Sequence, residues 1–122
     1  MPKFGTRSRG NLNQCHPDLV SVAEVAIMDY DFSVIEGHRP KSEQDEAFKT
    51  GASKLKFPYS KHNTLPSFAM DIVPYPVDWE NLHRFQELAV VVKKAADRLG
   101  VDIHWGYDLW GWDMPHWQLG DK

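Results

Sequence analysis

The chain has 122 residues, 42% of them apolar and 25% charged, with a net charge of −3 and one cysteine. That length bounds it to one compact domain, residues 1–122, large enough to bury a core without cross-links. The acidic balance excludes the basic footprint of a nucleic-acid binder, the lone Cys15 excludes an internal disulfide, and no apolar run approaches the ~20 residues of a membrane span.

The N-terminus is basic (Lys3, Arg7, Arg9) but has no apolar signal-peptide segment, so the expectation is synthesis in a cytoplasm with export left to another system. From Pro17 to about Tyr30, Leu19, Val22, Ala23, Val25, Ala26 and Ile27 recur at helical spacing. Pro17 suits a first helical position, and Asp18 suits the positive end of the helix dipole. Phe32-Ser33-Val34-Ile35-Glu36 reads as a strand that ends at Gly37-His38-Arg39-Pro40. Ser42 reads as the N-cap of a short helix with Glu43, Asp45 and Glu46 in its first turn. That helix is expected to turn Ala47 and Phe48 inward and to stop at Gly51.

Residues 52–67 carry two prolines, serines and an Asn-Thr pair, and read as a loop. Phe68 to Val73 is a strand closed by Pro74 and Pro76. Asp78 is expected to cap the longest helix, which ends at Leu99 before Gly100 and has one broad apolar face. Val101–Trp105 and His116–Leu119 are candidate strands. There are no repeats, low-complexity tracts or linkers. Helices mixed with short strands argue for an α+β fold, a single small domain of helices packed on a small, mostly antiparallel sheet.

Four of the five tryptophans (Trp105, Trp110, Trp112, Trp117) crowd the C-terminal part, together with His104 and His116. Such crowding suggests a walled cleft. Asp71 lies in an apolar strand, where an unpartnered carboxylate is costly to bury and a cation would remove that cost. His62, Asp71 and His116 together form a ligand set that can hold a catalytic zinc with one position open for water. Asp113-Met114-Pro115-His116 is stiffened by its proline and can hold Asp113 near such a site as a proton acceptor. Taken singly, plainer readings are stronger: His62 as loop surface, His116 as a core histidine, Asp71 as a turn partner. Spacing across separate elements therefore leaves the joint site open.

Arg39 ends a strand before a rigid proline. It can bind a carboxylate or polarise a carbonyl, while a salt bridge to Glu43 or Asp45 is the competing reading. Cys15 precedes the Pro17 helix and reads as a packing residue sooner than as a nucleophile.

These residues fall in a known order. His16-Pro17-Asp18-Leu19, Phe32 to Arg39, Glu43-Gln44, Gly51-Ala52-Ser53-Lys54 and Ser60-Lys61-His62-Asn63 are followed by Pro66 to Pro74, Trp105-Gly106 and Asp113 to Leu119. In that order, from about Asn11 to Leu119, the chain resembles the zinc peptidases of the D-alanyl-D-alanine carboxypeptidase type, and most closely the phage endolysins that act as L-alanyl-D-glutamate peptidases. Two stretches depart from the pattern. Many relatives have Ser-x-His-x-x-Gly-x-Ala-x-Asp, whereas Asp71 here follows His62 by nine residues, across Asn63-Thr64-Leu65-Pro66-Ser67. Where some relatives have Trp-Gly-Gly-Asp-Trp, this chain reads Trp105-Gly106-Tyr107-Asp108-Leu109-Trp110.

The resemblance implies a hedgehog/DD-peptidase-like α+β domain with zinc held by His62, Asp71 and His116. It implies Asp113 as the catalytic base, Arg39 as the group that steadies the substrate and oxyanion, and Ser60 and Gln44 as residues of the substrate site. The activity implied is hydrolysis of the L-Ala–D-Glu bond of the peptidoglycan stem peptide, by a monomer that does not insert into membranes. With no signal peptide and no added wall-binding domain, a holin-like release step and a thin-walled host are expected. A D,D-carboxypeptidase or dipeptidase of the same family is the near alternative, and a non-catalytic wall-binding module the distant one.

Overall fold

The structure, a computed structural model, describes residues 2–120. In chain order it comprises α1 (Thr6–Leu12), α2 (Pro17–Ala26), β1 (Phe32–Glu36), α3 (Lys41–Thr50), a 3-10 turn (Lys61–Asn63), β2 (Ala69–Pro74), α4 (Leu82–Leu99), β3 (Ile103–Trp105), α5 (Gly106–Trp110) and β4 (His116–Leu119). The strands form one sheet in the order β1-β2-β4-β3, every neighbouring pair antiparallel. This is the α+β arrangement expected from the mixture of elements.

Two helices and one sheet face make the core. α2 contributes Leu19, Val22, Ala23 and Ala26, α4 contributes Phe85, Leu88, Ala89, Val92, Ala95 and Ala96, and the sheet contributes Val34, Met70, Ile72 and Trp117. Side chains alternate along a strand. With Met70 and Ile72 in the core, Asp71 between them points to the other face; His116, next to the core residue Trp117, does the same. One face of the sheet is thus the interior, and the opposite face is free to carry polar groups.

Several boundaries differ from expectation for physical reasons. α2 stops at Ala26, and the chain turns through Met28 and Asp29. α3 begins two residues early, after Pro40, with no side-chain cap; Ser42 lies inside the helix. Its inward residue is Gln44, while Phe48 is exposed beneath the Lys56 ammonium, because α3 borders a polar network and not the apolar core. α4 starts after Asn81, whose side chain accepts from the Arg84 amide, because residues 78–81 first close a turn from the Asn81 amide to the Asp78 carbonyl. Gly100, at φ +68°, ends α4 in the left-handed conformation that favours glycine.

α1 has no strong apolar period. It forms against the exposed edge of β1, where the Ser8 hydroxyl accepts from the Val34 amide at 3.0 Å and Asn11 Nδ2 donates to the Val34 carbonyl at 2.9 Å. An edge strand offers unpaired amides and carbonyls, and α1 satisfies them.

Candidate active site

A β-bulge and a register together create the site. β1 pairs Val34 with Ile72 and then Glu36 with Asp71, so Ile35 is the extra residue of a bulge beside Asp71. On the other side of β2, Asp71 is paired directly with His116 of β4. Opposite residues of an antiparallel pair project their side chains to the same face, which brings carboxylate and imidazole together.

His62 arrives from the long loop. The Ser60 side chain caps the 3-10 turn by accepting from the His62 amide at 3.2 Å, and Asn63 Oδ1 accepts from the Ser60 amide at 3.0 Å. The nine-residue step to Asp71 is closed by the Phe68 amide donating to the Lys61 carbonyl at 3.0 Å. The extra residues, Leu65 among them, bulge into solvent and leave the ligand geometry intact.

The result is a nearly equilateral triangle. His62 Nε2 lies 3.1 Å from Asp71 Oδ1 and 3.2 Å from His116 Nδ1, and His116 Nδ1 lies 3.3 Å from Asp71 Oδ1. Atoms bound to one tetrahedral zinc at 2.0–2.1 Å stand about 3.3 Å apart, so these three could hold such an ion and leave a fourth position to the cleft. The outer nitrogens are oriented too. His62 Nδ1 is 2.8 Å from the Gly37 carbonyl, and His116 Nε2 is 2.9 Å from Gln118 Oε1. With those nitrogens donating, each inner nitrogen keeps its lone pair for a metal. Gly37 must be glycine, since a Cβ there would stand 2.3 Å from the Asn11 carbonyl oxygen.

The electrostatics fit a cation site. Burial alone would raise the Asp71 pKa, but the charges and hydrogen bonds of His62 and His116 overcome it and hold the carboxyl well below the usual range. Burial would lower the His116 pKa, but the hydrogen bond and charge of Asp71 hold it above the ordinary value. Asp113 behaves differently. Burial raises its pKa, with the Asp71 charge adding to the rise and His116, His62 and Arg39 opposing it.

Asp113 is half-buried and its carboxylate makes no hydrogen bond among the described residues. Its turn is fixed by the backbone: Trp105 Nε1 donates to the Met114 carbonyl at 2.7 Å, and the Ile72 amide donates to the Pro115 carbonyl at 2.9 Å. A Cβ on Gly106 would stand 2.7 Å from the Asp113 carbonyl oxygen and 3.0 Å from the His116 Cβ, so only glycine lets α5 start this close. Asp113, Arg39, Ser60 and the triangle line one cleft of about 310 Å³, walled by Trp110, Trp112, Tyr59 and residues 52–55.

With this geometry in place, the comparisons carry direct weight. A family model described as Phage L-alanyl-D-glutamate peptidase matches residues 1–116. The chain belongs to that family. It is 32% identical over 111 residues to the L-alanyl-D-glutamate peptidase of Escherichia phage T5, covering 87% of this chain and 80% of that one. Among solved structures, the L-Ala D-Glu endopeptidase ChiX of Serratia marcescens superposes with a TM-score of 0.82 at 35% identity, covering 98% of this chain and 90% of that one.

In this family member, Arg39 is not bound to Glu43 or Asp45. Its Nε donates to Glu36 at 2.6 Å and its Nη1 to Gln44 Oε1 at 2.9 Å, and Nη2 lies 3.9 Å from Asp71 Oδ2. Gln44 is fully buried behind the cleft wall and does not line it. Its side chain ties Arg39, Asn63, Ser53 and the Leu55 carbonyl into one network. Glu36 and Gln118 escaped the sequence reading as site residues. Gln118 was reachable, since it shares the His116 face of β4 by alternation. Glu36 was not, since only the bulge aims it at Arg39.

Cys15 is buried, with its thiol 3.8 Å from the Ala69 carbonyl. Burial, with the Asp71 charge adding to it, pushes the thiol pKa up to about 12, which suits packing and not nucleophilic attack.

Proposed function

We propose that this protein is a zinc-dependent peptidoglycan endopeptidase that hydrolyses the L-Ala–D-Glu bond of the stem peptide. The single observation that carries the reading is the His62–Asp71–His116 triangle at the bottom of an open cleft, in a chain of this family. The peptidase unit is the whole chain, 1–122, acting as a monomer. Its activity on the wall follows release from the cytoplasm of the host.

Zinc held by the three ligands would polarise the scissile carbonyl and lower the pKa of a water to about 7. Asp113 accepts the proton of the attacking water at its carboxylate and delivers it to the departing D-glutamyl amine. The partial burial that raises its pKa in the metal-free protein favours its holding a proton. Arg39, held rigid by Glu36 and Gln44, stabilises the developing oxyanion from the cleft wall. Ser60 fixes the turn that carries His62 and presents its own edge to the substrate, and Gln44 supports the substrate site from behind.

Mass spectrometry of fragments released from purified peptidoglycan by the zinc-loaded protein tests this. New D-glutamyl amino termini are expected. Release of D-alanine alone would replace the reading with a D,D-carboxypeptidase, and wall binding without new amino groups would replace it with a non-catalytic module.

A further inference from the structure

The cleft contains three cations, and two are committed. Arg39 is bonded to Glu36 and Gln44, and Lys61 Nζ donates to the Leu119 carbonyl at 2.8 Å. Lys54 forms no hydrogen bond or ion pair among the described residues. Its ammonium stands 6.0 Å from the Trp112 ring centroid, within reach of a cation–π attraction.

Lys54 is nevertheless not a drifting loop lysine. The buried Gln44 Nε2 donates to Ser53 Oγ at 3.0 Å and to the Leu55 carbonyl at 2.6 Å, the residues on either side of it. The Ser53 amide donates to the Ala47 carbonyl of α3 at 2.9 Å. The same Gln44 holds Arg39 and Asn63, so the backbone of Lys54 is referenced to the groups that position Arg39 and His62. An aromatic wall joins Lys54 to the metal triangle: Trp112 lies 6.5 Å from Trp110, and Trp110 lies 5.3 Å from His116 between ring centroids.

A site-facing cation with a fixed backbone and no hydrogen-bonding or ionic partner among the described residues is suited to an anionic substrate group lying beyond the scissile bond. D-glutamate supplies one. Whichever of its two carboxyls is joined onward in the peptide, the other is free and ionised at neutral pH. We propose that Lys54, seated against Trp112, binds the free carboxylate of the D-glutamyl residue and makes the enzyme selective for glutamate over its amide. This rests on the function proposed above.

The test uses two peptides that differ only in that group, an L-alanyl-D-glutamyl peptide with a free side carboxylate and its carboxamide counterpart, with the zinc-loaded full chain. The wild type is expected to prefer the carboxylate by about tenfold in kcat/KM, mostly through KM, the effect of one hydrogen bond to a charged group. Lys54→Gln should remove that preference by weakening only the carboxylate peptide, and Lys54→Arg should restore most of it. The wild-type preference should shrink as salt is raised, because the pair is partly exposed. A Lys54→Gln enzyme that keeps the wild-type preference, or loses both peptides equally, overturns the assignment while leaving the bond assignment standing. A wild type that cleaves walls at another bond and neither peptide overturns the underlying reading, and this inference with it.

Discussion

The two sides of the cleft are built differently. Two of the three ligands stand on the sheet, with Asp71 and His116 locked as a cross-strand pair; His62 joins them from a 3-10 turn capped by Ser60, and each imidazole is buttressed by an acceptor on its outer nitrogen. The facing wall is made of loop and short-helix residues, Tyr59, Trp110 and Trp112 among them, with half or more of their surface open in the first case and nearly half in the others. Ligand atoms must be held to a few tenths of an ångström, which paired strands can do. Substrate contacts tolerate more play, and loops supply variety at little cost to the fold. Changes on the sheet side should therefore abolish chemistry, and changes on the loop side should retune selectivity.

The largest effect is expected from His116→Ala. It removes one of three ligands and leaves only His62 and Asp71 for the metal, so bound zinc should fall to background by elemental analysis and hydrolysis should disappear. Retention of a full equivalent of zinc would show that the triangle is not the metal site.

Asp113→Asn should separate chemistry from metal binding. Loss of a general base costs roughly 10²–10⁴-fold in rate, with zinc content unchanged. It also carries a stability signature. A carboxyl whose folded pKa is raised favours the fold below its unfolded value, about 3.9, and loses that contribution as pH rises through the folded value. At neutral pH the metal-free Asp113→Asn protein should therefore melt higher than wild type, and the gain should vanish in acid. Equal melting temperatures at every pH would contradict the raised pKa. A substitution that weakens catalysis and strengthens the fold is the mark of a residue kept for function.

How much of this was legible beforehand follows the same division. β4 was readable to the residue, because Pro115 fixes its entry and His116, Trp117 and Leu119 alternate. The end of α4 was readable from Gly100, and its apolar face from Leu88, Val92 and Ala95. α1 was not, because Thr6–Leu12 is short, contains Gly10 and owes its order to the edge of β1. Phe48 was expected inside because the residue is apolar, but only tertiary structure reveals that α3 faces the Gln44 network. The candidate ligands could be named from chemistry and resemblance, whereas their partners could not. Gly37, Glu36 and Asn63 act through register, bulge and backbone, none of which leaves a pattern in one sequence.

Among those partners, Gln118→Leu gives an intermediate effect. It leaves His116 in place but removes the acceptor on Nε2, so the ring can turn and change tautomer. Loss of such an outer partner typically weakens metal affinity by 10–100-fold. Competition with a chelator should show that loss for Gln118→Leu, and none for Trp112→Ala on the loop side. An equal loss in both variants would erase the proposed distinction between the two walls.

The smallest effect is expected at Cys15, which lies close to the site in space yet has no part in the chemistry. Its thiol is pushed up to about 12 by burial first and by the Asp71 charge second. A folded pKa raised above the unfolded value, about 8.5, means that the thiol stays protonated in the native protein at pH 8, and that any stability it contributes is lost only as pH climbs past that value. Alkylation of the folded protein at about pH 8 should be at least about a hundredfold slower than that of the unfolded chain. Cys15→Ala should leave kcat/KM within about twofold and cost stability only as a small buried truncation does, about 1 kcal/mol. Rapid native alkylation would show that the region beneath Gly37 opens, and Gly37 is the residue whose carbonyl orients His62. The sheet side would then be less rigid than its hydrogen bonds imply, and zinc loading should slow the alkylation by holding His62 in place.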